Sequence, residues 1–66
     1  MDAALLPVNS AALAALRYAG GRLYLKFHTS DTVYVYRRVP AELVRRFLRA
    51  ESLGAFYNRY IRGKYQ

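Results

Sequence analysis

Tyr24 and Lys26 stand two residues apart in the run Arg22-Leu23-Tyr24-Leu25-Lys26-Phe27-His28. An extended backbone places both on one side of a strand and the apolar Leu23, Leu25 and Phe27 on the other. A ring beside a cation is chemistry for holding RNA, because the ring can stack a splayed base while the charge neutralises phosphate. Around this pair, Val33, Val35 and Arg37 are candidates to share the face. If the next strand points the other way, Tyr34, Tyr36 and Arg38 take their place. A second basic group, Arg45, Arg46 and Arg49, recurs at helical spacing and could track a phosphate backbone together with Arg37 and Arg38. Arg59, Arg62 and Lys64, followed by Tyr65, make a third. The competing reading of the second group is a solvated helix face, with Glu42 and Arg46 as an i,i+4 ion pair contributing a few tenths of a kcal/mol, about 0.3.

Catalytic chemistry finds little support. Ser10, Ser30 and Ser52 sit where turns or helix caps are expected, and His28 is the one histidine available as a base. The carboxylates Asp2, Asp31, Glu42 and Glu51 are spread over an arm, a turn and helix ends, so no acid–base pair forms. Gly20-Gly21 leads into a strand rather than a helix and lacks the context of a phosphate loop. With no cysteine and one histidine, neither a thiolate metal site nor a disulfide is expected. The expectation is therefore a non-enzyme with no metal, no cofactor and no small-molecule substrate.

Eleven Lys and Arg against four Asp and Glu give a net charge of +7, and all the cations except Arg17 lie at or after Arg22. Such a balance attracts polyanions. At 66 residues the chain is one small domain whose core barely offsets conformational entropy, so self-association would help it. Asp2 replaces the basic start of a signal peptide, and no apolar run approaches the roughly 20 residues of a membrane span. A cytoplasmic location with no membrane contact follows as the expectation.

These side chains need elements to position them. Residues 1–9 read as an N-terminal arm broken by Pro7 and Asn9, in which Ala4, Leu5 and Leu6 could cover an edge of the fold; residues 10–66 form the domain. Ser10 to Tyr18 is alanine-rich, which favours helix, yet Ala19-Gly20-Gly21 and the alternating run after it favour a hairpin. Thr29-Ser30-Asp31 marks a turn, and Thr32 to Arg37 is β-branched and aromatic. Pro40 suits a first helical position, and Leu43, Val44, Phe47 and Leu48 form an apolar stripe opposite Glu42, Arg45, Arg46 and Arg49. Ser52 is the cap expected for a second helix. That helix gathers Leu53, Phe56, Tyr57, Tyr60 and Ile61 on one face, leaves Asn58, Arg59 and Arg62 outside, and ends at Gly63.

The pattern resembles the KTSC domain, a small bacterial module also found at the C-terminus of some lysyl-tRNA synthetases. The resemblance rests on Tyr34 and Tyr36 as a Y-x-Y pair, on Val39-Pro40, and on Ala50, Ser52, Gly54, Phe56, Asn58, Ile61 and Tyr65. Upstream, Ser10, Leu13, Leu16, Tyr18, Leu23, Leu25 and Phe27 also fit. It implies that Ser10 to Tyr18 is a strand, that the tyrosines of the pair face the helices, and that RNA is a suggested ligand. The expected fold is α+β: a three-stranded antiparallel β-meander followed by two α-helices packed on one face, βββαα. The expected role is a basic domain contacting tRNA or single-stranded RNA through Tyr24, Lys26, Arg37, Arg38, Arg45, Arg46, Arg49, Arg59, Arg62 and Lys64. The alternative is a protein-interaction or self-association module, with a homodimer as one form.

Overall fold

The structure, a computed structural model, describes residues 5–65. Its sheet has four antiparallel strands in chain order: β1 (Leu6–Pro7), β2 (Leu13–Ala19), β3 (Arg22–Phe27) and β4 (Val33–Tyr36). Helix α1 (Ala41–Leu48) and the short α2 (Leu53–Phe56), which runs on into a π-helical turn at Tyr57–Ile61, complete the α+β fold. Three strands were expected; the fourth comes from the arm. Leu6 lies opposite Leu16 and Pro7 opposite Ala15, and the Val8 N–H donates to the Ala14 carbonyl at 3.1 Å. Pro7 is tolerated because an edge strand can spare an N–H. Leu5 and Leu6 thus belong to the sheet margin, while residues 1–4, Ala4 among them, lie outside the described residues.

The alanine-rich segment is a strand with a bulge. Leu13 pairs with Phe27 and Ala15 with Lys26, which leaves Ala14 as the extra residue. The bulge shifts the side-chain phase by one, so Leu13 and Leu16, three apart and helix-like in spacing, both reach the buried face. Gly20 and Gly21 then adopt φ of +57° and +78°, the two left-handed positions of a type I′ hairpin turn. That turn sets the register between β2 and β3, with Ala19 opposite Arg22.

Two rows, Leu16–Leu25–Tyr34 and Tyr18–Leu23–Tyr36, face the helices; Arg17–Tyr24–Val35 and Ala15–Lys26–Val33 face away. The tyrosines of the Y-x-Y pair therefore point toward the helical layer. Tyr36 is buried and its hydroxyl meets that of Tyr57 at 2.6 Å, whereas Val33 and Val35 remain 42% and 37% exposed.

Between β4 and α1, Arg38 takes φ 59°, a left-handed conformation costing a side-chain-bearing residue about 1–2 kcal/mol. The next residue explains why it persists. Buried Val39 donates its N–H to Gly21 O at 2.9 Å and accepts the Tyr18 hydroxyl on its carbonyl. Pro40, with φ −66° and ψ 143°, caps α1 rather than opening it as the first helical residue. Val44 and Phe47 enter the core with Leu13, Leu16, Leu23, Leu25, Val39 and Ile61. Leu48, expected on that stripe, is 53% exposed because the helix ends there and the chain leaves through Arg49.

Ser52 caps α2 as expected, its Oγ accepting the Ala55 N–H at 3.1 Å. Gly54 is needed for a close approach to the strand side: a Cβ there would meet the Ala12 Cβ at 2.9 Å. Past Phe56 the helix widens, and the Arg62 N–H donates to the Tyr57 carbonyl five residues back at 2.8 Å.

Candidate nucleic-acid interface

The helices cover one face of the sheet. On the other, register brings together Arg17, Arg22, Tyr24, Lys26, Val33 and Val35. Arg17 was not among the expected site residues, yet it is Tyr24's direct neighbour across the hairpin, with its guanidinium carbon 5.6 Å from the ring centroid. A cation over an aromatic face is attracted by the ring quadrupole. Lys26 lies 3.9 Å from Asp31, a loose ion pair with a fully exposed partner and so a weak one. Tyr24 and Lys26 are thus brought together as expected, with Arg17 and Arg22 added.

The remaining cations divide among other surfaces. Glu42 pairs with Arg45 at 2.8 Å, one residue short of the expected Arg46, because i,i+3 neighbours share the helix surface as i,i+4 neighbours do. Arg46 turns toward the second helical segment instead, 5.9 Å from the Phe56 centroid and 5.4 Å from that of Tyr60. Arg59 approaches the same Tyr60 ring at 5.8 Å. Both guanidiniums thus lie over aromatic rings while their residues stay exposed, as Arg49 is at the end of α1. Arg37 and Arg38 do not join the Arg45 group; they line a groove of about 440 Å³ with Lys64 and Tyr65.

Arg62 belongs to a further cavity, of about 390 Å³, between the β3–β4 turn and the π-helical turn. Phe27, Tyr34 and Tyr57 form its aromatic wall, with edge-on contacts of 5.7 Å between Phe27 and Tyr34 and 5.0 Å between Phe27 and Tyr57. Beside it, burial raises the pKa of Tyr36 above the usual tyrosine value, and its hydrogen bond to Tyr57 acts the same way; the positive charge of Arg62 acts in the opposite sense. The sequence singled out Tyr34, Gly54 and Asn58 without indicating that they converge here.

The residues considered for catalysis have structural partners. Ser10 Oγ accepts the N–H groups of Ala12 and Leu13, and Ser30 Oγ accepts that of Thr32. His28, exposed, places Nε2 2.9 Å from the Ser10 carbonyl oxygen, as a residue holding a turn would. Among the described residues no cluster of metal-ligating side chains occurs, and no helix is long and apolar enough to cross a membrane.

Comparison with known proteins agrees with this geometry. The crystal structure of a KTSC domain protein from Yersinia pestis superimposes with a TM-score of 0.86 at 28% identity, covering 96% of this chain and 90% of that one. No curated protein matches the sequence. The family model for the KTSC domain matches residues 9–65, from the turn before β2 through the last described residue, and the chain belongs to the KTSC domain family.

Proposed function

We propose that this protein is a non-catalytic, cytoplasmic binding domain that contacts RNA with the open face of its sheet. The observation that carries the reading is the absence, among the described residues, of any layer over the face holding Arg17, Arg22, Tyr24 and Lys26. Elements that cover one face of an antiparallel sheet leave the other to solvent or to a ligand. In the proposed complex the cations neutralise phosphates, and a base stacks on the Tyr24 ring or on the guanidinium above it. The groove at Arg37, Arg38, Lys64 and Tyr65 and the exposed Arg49 supply further charge to a longer strand. The net charge of +7 adds long-range attraction.

The test is fluorescence anisotropy of labelled tRNA and single-stranded RNA, with heparin as a polyanion lacking bases. Tyr24→Ala should weaken RNA binding by about 1–3 kcal/mol while leaving heparin binding and the circular dichroism spectrum unchanged. Equal loss for both ligands would sink base stacking as the role of Tyr24.

One observation favours a second reading, a self-association module. Val33, Tyr34 and Val35 are all exposed on β4, an uncharged edge strand, whereas the opposite edge is blunted by the short, proline-bearing β1. Sedimentation velocity decides: a stable dimer lost in Val35→Pro, with RNA binding absent in both forms, would favour this reading.

A further inference from the structure

The cavity at Arg62 carries an inference separate from the open sheet face, since it lies on the helix-covered side. Its wall offers three rings, of which Tyr34 is exposed and Phe27 and Tyr57 are half-buried, so aromatic surface remains for a planar ligand. Its rim is polar and cationic, with no carboxylate in the lining. Arg62 donates one hydrogen bond to Asn58 Oδ1 at 3.4 Å, which leaves most of its five donors for an anion. Ser30 spends its oxygen as an acceptor for Thr32, and its hydroxyl proton remains to donate. The amide nitrogen of Asn58 supplies a further donor at the same rim.

The backbone points to the same place. A π-helical turn is uncommon, is wider than the α-helix it continues and is frequent at functional sites. Here it seats Arg62 directly over Tyr57, one wide turn along. Gly54, close against Ala12, removes a side chain from the cavity wall. The volume of about 390 Å³ falls within the range of small-molecule sites, roughly 300–1,000 Å³.

We propose that this cavity binds a nucleoside monophosphate, its base against the Tyr34 and Tyr57 rings and its phosphate on the Arg62 guanidinium. A bare anion would leave the rings unused, and an apolar ring alone would leave the charge and donors of Arg62 unused. The free nucleotide and the 5′-phosphorylated end of an RNA strand present the same chemistry. A small-molecule ligand at this cavity goes beyond the expectation, drawn from the sequence, of no small-molecule substrate.

The experiment is amide nitrogen–proton correlation NMR of the full chain, titrated with each of the four ribonucleoside monophosphates, with adenosine and with inorganic phosphate. The expected result is saturable shifts at Ser30, Tyr57, Asn58 and Arg62 with a nucleotide, weaker ones with adenosine or phosphate alone. Arg62→Gln should weaken the nucleotide by about tenfold or more, the loss expected for a charge-assisted hydrogen bond. Tyr34→Ala should do likewise, while Leu48→Ala, at an exposed position outside the cavity lining, should leave nucleotide binding intact. Chemical-shift dispersion verifies that each variant is folded. Tighter binding of a 5′-phosphorylated oligonucleotide than of both its 5′-hydroxyl form and the free nucleotide assigns the pocket to strand ends; a free nucleotide that binds as well as the strand assigns it to nucleotides. Shifts confined to the open sheet face, equal shifts from phosphate alone, or affinity unaltered by Arg62→Gln would each overturn the proposal.

Discussion

Gly54→Ala adds one methyl group at the tightest point between the second helical segment and the strand layer. The new Cβ would stand 2.9 Å from the Ala12 Cβ, inside the distance that real carbon pairs keep. Ala12 has little room to retreat, because its N–H donates to Ser10 Oγ at 3.2 Å and its carbonyl accepts the His28 N–H at 3.1 Å. Overpacking of this kind costs about 1–3 kcal/mol. Against it, alanine in place of glycine gains about 1 kcal/mol of helix propensity. The net is a destabilisation of about 1 kcal/mol, a fall in melting temperature of about 4–8 °C for a domain this small. In an Ala12→Gly background the obstacle is gone and the same substitution should stabilise by about 1 kcal/mol, giving a coupling of about 2 kcal/mol in the double-mutant cycle. Urea denaturation followed by circular dichroism measures all four corners. A Gly54→Ala protein that is more stable than the parent, or an effect equal in both backgrounds, would refute the argument from close approach.

If single-stranded RNA lies on the open face, Arg17, Arg22 and Lys26 neutralise three phosphates, a log–log salt slope of about −2 and a loss of roughly 20-fold between about 50 and 200 mM salt. A much steeper slope would show that the other basic surfaces share the contact, and a flat one would remove RNA from this face. Arg46→Ala should destabilise by about 1 kcal/mol through its lost contacts with Phe56 and Tyr60, whereas Arg49→Ala should stay within about 0.5 kcal/mol. Equal urea midpoints for the two variants would mean that Arg46 is as free as Arg49. Tyr36 holds its proton more tightly in the folded than in the unfolded chain. Its contribution is therefore intact below about pH 10, where an unfolded tyrosine ionises, and is lost as pH rises through the higher folded value. Stability measured across that alkaline range should fall more steeply for the parent than for Tyr36→Phe, and parallel curves would contradict the assignment.

Much of the architecture could be read from local rules. The alternation Leu23, Leu25, Phe27 required a strand, Ser52 and Gly63 marked a helix start and stop, and the apolar Val44 and Phe47 required a partner layer. Even Arg17 was within reach, since a two-residue Gly20-Gly21 turn pairs Ala19 with Arg22 and so Arg17 with Tyr24. The bulge at Ala14 was not, because a one-residue insertion leaves no composition signal and disguises the Leu13–Leu16 spacing as helical. Nor was β1, whose two residues include a proline and form a strand only because β2 offers an edge.

The site divides along the same line. Residue type and net charge determined that this chain carries rings and cations suited to polyanions, for those are properties of single side chains. Which cations act together depends on long-range packing, in which Arg46 turns to Tyr60, Arg37 and Arg38 meet Lys64, and Arg62 shares a cavity with Tyr34 and Phe27. Those meetings join residues more than a dozen positions apart, and only chain closure around the shared core of Leu23, Leu25, Phe47 and Ile61 brings them within reach.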